Sequence, residues 1–204
     1  FRDNFKKLLR QWVKERRNSP SVVMWGLQNE STLPREFAEE CTAIIREMDP
    51  TAHHMRIITT CNGGEGTDWN VVQNWSGTYG GDEELSRPNQ LLNGEYGAWR
   101  SIGLHTEPAA FDPKGVWSES RMCRLMEIKI REAERVRDSV CGQFQWIYSS
   151  HDNPGRRQPD EGYRIIDKVG PFNYKGLVTP WEEPLDIYYL YKANYVPAAK
   201  EPMV

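Results

Sequence analysis

The chain alternates amphipathic helical segments with short apolar segments, and this alternation restricts its fold more than any other feature. Residues 5–13 place apolar side chains at helical spacing opposite basic ones, which predicts a helix with one buried stripe. Residues 21–27 form an apolar run of strand length without clean alternation, as expected for a strand that is covered on both faces. A helix at 34–48 and a strand at 56–60 repeat the order. Strands that alternate with helices predict an α/β fold, a parallel sheet with helices packed outside it.

The remaining chain continues this pattern with longer connections. Short strands are predicted at 70–74 and 90–94, a helix at 119–138, a strand at 141–148 and a helix at 184–195. The count is five strands, whereas a closed (β/α)8 barrel needs eight strands and typically about 250 residues. The 204 residues therefore predict an open five-stranded sheet, or a barrel whose first part is missing.

Charge and hydropathy exclude several kinds of partner. The 26 basic and 29 acidic side chains give a net charge of −3 without a long run of either sign, so neither nucleic acid nor a membrane surface is an expected partner. No stretch of 18 apolar residues could span a bilayer, and we expect a soluble protein. Because the chain begins at Phe1 rather than Met, we expect that preceding residues are missing, which leaves a cytoplasmic, periplasmic or secreted location open.

The sequence offers no recognisable motif for a metal or an organic cofactor. The four cysteines are scattered, without the spacing of metal-binding Cys and His residues. The glycine-rich residues 62–66 lack the pattern of a phosphate-binding loop. We therefore predict neither a metal nor a cofactor.

Two glutamates stand where a parallel barrel places its catalytic residues. Glu30 follows the first predicted strand and Glu95 follows the fourth, and loops after the strand C-termini build the active sites of such barrels. Retaining glycoside hydrolysis needs two carboxyl groups about 5–5.5 Å apart, one as nucleophile and one as acid/base. Each residue could instead be an ordinary surface glutamate, so position alone leaves both readings open.

The residues around these glutamates resemble glycoside hydrolase family 2, which contains β-galactosidases, β-glucuronidases and β-mannosidases. Residues 17–30 read Arg-Asn-Ser-Pro-Ser, an apolar strand, and then Asn-Glu, which is similar to the signature of that family. The resemblance implies that Glu30 is the acid/base and that Asn29 hydrogen-bonds the sugar 2-hydroxyl. Residues 93–98, Asn-Gly-Glu-Tyr-Gly-Ala, are similar to the family's nucleophile segment, which makes Glu95 the nucleophile.

The resemblance extends over almost the whole chain and implies its fold. Residues 1–204 would be the C-terminal portion of a (β/α)8 TIM-barrel catalytic domain, covering about strands 4 to 8. Residues 142–146 resemble the eighth strand, whose Trp floors the sugar site, so Trp146 is a candidate substrate contact or a core residue. The family usually offers a Tyr after strand six that hydrogen-bonds the nucleophile, and within residues 73–79 our choice is Tyr79.

The substrate is predicted from one further segment. Residues 173–176, Asn-Tyr-Lys-Gly, resemble the Asn-x-Lys with which β-glucuronidases pair a uronate carboxylate, and this makes Lys175 a candidate binding residue. Family β-galactosidases carry a similar segment. The sequence thus predicts a retaining exo-β-glycosidase with a carbohydrate substrate, β-galactosidase first and β-glucuronidase as the alternative. A non-catalytic carbohydrate-binding fragment or pseudoenzyme is the third reading, and oligomerisation through missing domains is possible.

Overall fold

A computed structural model describes residues 1–75, 92–98, 100, 105–106, 118–152, 172–173 and 175–197. The chain divides into two compact units, Phe1–Gln73 and Asn74–Val204. Each unit is built from strands and helices that alternate along the chain.

The first unit contains parallel strands separated by helices. Its elements in chain order are α1 (Arg2–Arg16), β1 (Met24–Asn29), α2 (Arg35–Met48), a 3₁₀ turn (Pro50–His53), β2 (Ile57–Cys61) and β3 (Trp69–Asn74). Strand β1 pairs with β2 and β2 pairs with β3, both in parallel. Each of these strands begins and ends within three residues of its predicted bounds.

The predicted apolar faces form the core of the first unit. Helix α2 buries Phe37, Cys41, Ile44 and Ile45, the face that the sequence pattern indicated. The buried stripe of α1 is narrower than predicted, because Leu8 remains 56% exposed and the helix is buried mainly through two residues. The core residues of this unit are Leu9, Val13, Trp25, Leu27, Phe37, Ala38, Cys41, Ile44, Ile45, Ala52 and Ile58.

A buried carboxylate joins this core to the segment before β1. Asp49 is 2% exposed and accepts hydrogen bonds from Trp25 Nε1 at 2.8 Å and Arg56 Nη1 at 2.9 Å. Burial opposes ionisation of Asp49, but hydrogen bonds from Thr51, Trp25 and Arg56 outweigh it and lower its pKa. The ion pair with Arg56 compensates the negative charge of Asp49, which would otherwise be buried without a partner charge.

The same arginine fixes the turn that leads into β1. Arg56 donates to the carbonyl oxygens of Arg17 at 2.6 Å and of Ser19 at 2.8 Å. Arg17 in turn donates to the Met48 carbonyl oxygen at 2.6 Å. These bonds explain what the Arg-Asn-Ser-Pro part of the motif does locally, since they set the point at which the chain enters β1, the strand that ends directly before Glu30.

The second unit repeats the strand and helix order. Its elements are β4 (Leu92–Tyr96), α3 (Glu119–Arg135), β5 (Gly142–Gln145), β6 (His151–Asp152), β7 (Phe172–Asn173) and α4 (Asp186–Tyr195). Strands β4 and β5 pair in parallel, and β6 pairs with β7 antiparallel. The two-residue strands β6 and β7 were not predicted, because so short a segment has no periodicity to detect.

Helix α3 and helix α4 cover one core in the second unit. The Ser118 side chain caps α3 by accepting a hydrogen bond from Arg121 N at 2.9 Å. Strand β5 ends at Gln145, earlier than the predicted 148, so Trp146 lies just beyond it. The core residues are Tyr96, Ala98, Met122, Leu125, Met126, Leu177, Val178 and Ile187.

Among the helices within the described ranges, none combines the length and the apolar character needed to cross a membrane. The five strands that were predicted are all present, three running up to residue 74 and two after residue 91.

Candidate active site

Glu30 occupies the first position after strand β1. Its backbone has a φ of 52°, in the left-handed region that residues with a side chain seldom adopt. Its backbone N–H donates to the Cys61 carbonyl oxygen at 2.9 Å, which ties this turn to the end of β2. The side chain is exposed. The exposed carboxylate is therefore carried by a fixed strand end.

Asn29 is held by a hydrogen bond from a neighbouring strand. Its Oδ1 atom accepts from Gln73 Nε2 at 2.9 Å, and Gln73 lies in β3. A second bond network supports the turn, because Gln28 Oε1 accepts from both N and Oγ of Ser31 at 3.0 Å. Because the Oδ1 atom of Asn29 accepts this hydrogen bond, the Nδ2 atom of the same exposed amide points away from Gln73.

Glu95 lies within β4 and is half-buried. The next residue, Tyr96, is 1% exposed, and its phenolic oxygen lies 2.7 Å from that of Tyr191 in α4. Burial raises the pKa of Tyr96, so this phenol stays neutral and serves as an anchor. The strand that carries Glu95 is thereby fastened to the last helix.

Buried amides without a partner lie beside Glu95. Asn93 is 3% exposed, and within the described residues neither its Oδ1 nor its Nδ2 has a hydrogen-bond partner. Its neighbour in the register, Gln143 of β5, has a buried Nε2 in the same condition. Each buried polar group without a hydrogen bond lowers the stability of the fold by about 1–3 kcal/mol unless water or a ligand bonds to it. Polar groups are thus concentrated where the two strands meet.

Lys129 reaches from α3 to the ends of two strands. Its ammonium donates to the carbonyl oxygen of Gly97 at 3.0 Å and to that of Asn74 at 3.2 Å. The residue is 2% exposed, and burial, followed by repulsion from Arg121, lowers the pKa of Lys129 to about 7. Helix α3 is thus hydrogen-bonded to the backbone two residues after Glu95.

Gly97 permits a close approach of two aromatic residues. A Cβ atom at this position would overlap the carbonyl oxygen of Trp146 and would lie 2.9 Å from two ring atoms of Trp75. Trp146 itself donates its backbone N–H to the Tyr96 carbonyl oxygen at 2.7 Å, and the peptide bond after it is cis. Trp146 is 37% exposed.

Lys175 joins the same group of residues. Its Nζ lies over the Trp75 ring, 4.4 Å from the centroid, and the residue is 5% exposed. Its carbonyl oxygen accepts from Gln145 Nε2 at 3.3 Å and Ile147 N at 3.4 Å. The segment predicted to bind a substrate carboxylate is thereby attached to the end of β5.

The predicted site residues fall into two groups. Asn29 and Glu30 are adjacent in the first unit, whereas Trp146 and Lys175 gather around Gly97, two residues after Glu95, in the second unit. Tyr79 and the side chain of Asn173 lie outside the described residues. Trp75 and Lys129 were not predicted. Trp75 could have been found by its place directly after β3, since residues after strand ends line such sites.

One cluster has the composition of a metal site. Ligand atoms of His105, Glu119 and Asp186 lie within 4.8 Å of one another. Both oxygens of Glu119 already serve the fold, because Oε1 accepts from the Asp186 backbone N–H at 2.7 Å and Oε2 lies 3.1 Å from His105 Nδ1. The carboxylate thus satisfies an orphan N–H at the start of α4.

Parallel strands with outer helices, and chemically active side chains at the strand C-termini, define the class of (β/α)-barrel enzymes. The family model for the glycosyl hydrolases family 2, TIM barrel domain, matches residues 3–101, a range that contains both Glu30 and Glu95. Over these residues the chain is similar to the glycoside hydrolase family 2 TIM barrel domain, and the resemblance predicted from the sequence is confirmed.

Curated relatives and solved structures are similar to nearly the whole chain. The chain is 28% identical to the β-glucuronidase of Bacteroides fragilis over 100% of its own length and 30% of the relative. It matches the structure of Bacteroides uniformis β-glucuronidase 3 with a TM-score of 0.76 and 22% identity, over 99% of this chain and 28% of that one. A Bacteroides fragilis structure provisionally named a β-galactosidase gives a TM-score of 0.75 and 22% identity, over 99% and 32%.

The chain therefore spans about three-tenths of the length of the relatives that it matches. The structural matches confirm the predicted fold, part of a TIM barrel.

Proposed function

We propose that this chain carries the two catalytic carboxylates of a retaining exo-β-glycosidase, Glu95 as nucleophile and Glu30 as acid/base. The observation that supports this most directly is that both glutamates lie in the residues matched by the family model. Each also stands within or directly after a parallel strand, where barrel enzymes hold their reacting groups.

The reaction proceeds in two displacements at the anomeric carbon. The Glu95 carboxylate attacks that carbon while the Glu30 carboxylic acid protonates the departing glycosidic oxygen, which leaves a covalent glycosyl-enzyme. Glu30, now a carboxylate, then takes a proton from water as the water oxygen displaces Glu95. The sugar is released with its anomeric configuration retained, and both carboxyl groups return to their starting states.

The other residues bind the sugar. Asn29 donates its Nδ2 to the 2-hydroxyl, the half-exposed Trp146 offers an apolar platform for the ring, and Tyr79 hydrogen-bonds the nucleophile. Lys175 pairs with a carboxylate on the sugar, which is a charge-assisted contact that a neutral hexose lacks. Residues 1–204 are the C-terminal portion of the catalytic domain in this proposal.

The order of the candidate substrates differs from the order that the sequence predicted. Two curated relatives bear β-glucuronidase names, and the buried Lys175 beside the Glu95 strand supplies a cation for a uronate. We therefore place terminal β-glucuronides first and β-galactosides second. A carbohydrate-binding protein without turnover is the remaining candidate.

The test uses the protein expressed from its complete gene. Hydrolysis of 4-nitrophenyl β-glucuronide, β-galactoside and β-mannoside is compared for the wild type and for Glu95→Gln. We expect the glucuronide to be the best substrate and the variant to lose at least about a thousandfold in kcat, because the nucleophile is gone. Glu36→Ala on α2, 67% exposed, is the matched control and keeps the wild-type rate.

Glu30 is tested separately by chemical rescue. Glu30→Ala should hydrolyse the glycosyl-enzyme slowly, and added azide should restore turnover as a β-glycosyl azide, because azide needs no general base. Absence of the azide adduct would remove Glu30 from the acid/base role. Sugar binding by the intact wild type without any hydrolysis would favour the non-catalytic candidate.

A further inference from the structure

We infer that Trp75 determines specificity for acidic sugars, because its ring holds the Lys175 ammonium in place for a uronate carboxylate. The inference rests on the proposed function and adds a residue that the sequence motifs do not contain. Trp75 stands directly after β3, and Lys175 follows β7, so only the folded chain brings them together.

The contact between the two side chains has the geometry of a cation–π interaction. The Lys175 Nζ lies 4.4 Å from the centroid of the Trp75 ring, well inside the limit of about 6 Å for such pairs. Lys175 is 5% exposed, and the attraction between a cation and an indole face is strongest where little water competes for the cation.

The ring is itself held at a defined place. Two atoms of its six-membered ring would lie 2.9 Å from a Cβ atom at Gly97, so the indole packs directly on the backbone of that residue. Gly97 is two residues after Glu95 in the chain and accepts a hydrogen bond from Lys129 at 3.0 Å. The face that receives the ammonium is thus fixed relative to the end of the proposed nucleophile strand.

The other end of the lysine is held as well. The Lys175 carbonyl oxygen accepts hydrogen bonds from Gln145 Nε2 and Ile147 N, which anchors the backbone at the end of β5. A lysine side chain is otherwise flexible and loses much rotamer freedom when it binds an anion. Because the backbone and the ammonium of Lys175 are both held, its rotamer freedom is already lost before the substrate binds. A sugar carboxylate at C6 therefore gains the full electrostatic attraction of the ammonium. A hydroxymethyl group at C6 gains none of it.

The experiment compares sugars that differ only at C6. The rates of Trp75→Leu and Trp75→Phe are measured with 4-nitrophenyl β-glucuronide against β-glucoside, and with β-galacturonide against β-galactoside. Trp75→Leu should lower kcat/KM for the better uronide by about tenfold or more, mainly through KM, and should change the neutral sugar much less. Trp75→Phe should fall between the wild type and Trp75→Leu. Trp181→Leu, at a tryptophan that is 71% exposed, is the matched control.

A double-mutant cycle separates this role from simple packing. Lys175→Met should lower the uronide preference to a similar value, and Trp75→Leu added to Lys175→Met should lower it no further, because the cation is already gone. Equal losses on acidic and neutral sugars, or additive losses in the double variant, would overturn the inference. Trp75→Phe keeps an aromatic ring and provides a folded variant if Trp75→Leu unfolds.

A binding measurement distinguishes this inference from the proposed function. Calorimetric titration with glucuronate and with glucose needs no turnover. Weaker glucuronate binding in Trp75→Leu than in the wild type, in a protein that hydrolyses none of the glycosides, would support the role of Trp75 and reject the glycosidase. If the wild type hydrolyses β-glucuronides and Trp75→Leu keeps the same preference for uronides, the glycosidase is supported and the role of Trp75 is rejected.

Discussion

Gln73 donates a hydrogen bond of 2.9 Å from its Nε2 to Oδ1 of Asn29. The bond connects the end of β3 with the last residue of β1, directly before Glu30. An amide whose oxygen is held in this way presents its nitrogen in a single orientation. In the proposed function, this orientation prepares Asn29 to donate to a sugar hydroxyl before any sugar binds.

Gln73→Met removes this orienting bond and keeps the side-chain length. We expect kcat/KM to fall about five- to tenfold for a glycoside with a 2-hydroxyl group, the value of one hydrogen bond of about 1 kcal/mol. The 2-deoxy glycoside should be much less affected, because it has no hydroxyl for Asn29 to bind. An equal loss on both substrates would show that Gln73 acts on the fold and not on Asn29.

Gly97→Ala places a methyl group where no space exists. The new Cβ would meet the Trp146 carbonyl and the Trp75 ring, and we expect destabilisation of about 1–3 kcal/mol together with reduced activity. Gly142→Ala in β5 is the control, because the nearest atom to its Cβ would be Leu92 Cδ1 at 3.9 Å. Chemical denaturation of both variants measures the difference, and equal stabilities would contradict the close packing at Gly97.

Lys129 should make stability depend on pH above neutrality. Its folded-state pKa of about 7 lies below the value of about 10.4 for an unfolded lysine, so the unfolded chain binds more protons between these limits. Stability contributed by this group therefore rises as pH increases from 7 towards 10 and is smallest below 7. The free energy of unfolding of Lys129→Met, measured from pH 6 to 9 beside the wild type, should rise less steeply. Parallel curves would show that Lys129 has an ordinary pKa.

Arg56 is expected to be the most sensitive charged position in the first unit. Arg56→Met leaves the Asp49 carboxylate, 2% exposed, without its cation, and removal of one partner from a buried pair costs about 3–5 kcal/mol. The surface pair of Arg10 and Glu47, with side chains 46% and 67% exposed, is the control. Arg10→Met should cost less than about 1 kcal/mol. Thermal or urea unfolding measures both, and similar losses would contradict the buried role.

Acid should weaken the same cluster. The lowered pKa of Asp49 means that its contribution to stability is present above the unfolded value of about 3.9 and is lost as pH falls through the folded value. Asp49→Asn should therefore show a flatter decline in the free energy of unfolding below pH 4 than the wild type. An unchanged slope would mean that other carboxylates govern the acid transition.

Local patterns were sufficient for much of the fold. Helix α2 was predicted with its buried face because apolar residues recur there with the helical period. The segment around Glu30 was recognised because its sequence is contiguous, and the family match over residues 3–101 confirmed it. Strand β5 was predicted too long, since its aromatic alternation continues beyond Gln145 while the backbone leaves the parallel pairing.

The sequence by itself determined the order of the helices and of the five longer strands, the two glutamate motifs and the resemblance to glycoside hydrolase family 2. These follow from periodicity and from contiguous residues, which need no knowledge of distant contacts. Only the tertiary structure brought Trp75 beneath Lys175, placed the Lys129 ammonium on the Gly97 carbonyl and joined Gln73 to Asn29. Such contacts depend on where parallel strands and the helices between them place residues far apart in the chain, and no local pattern encodes that placement.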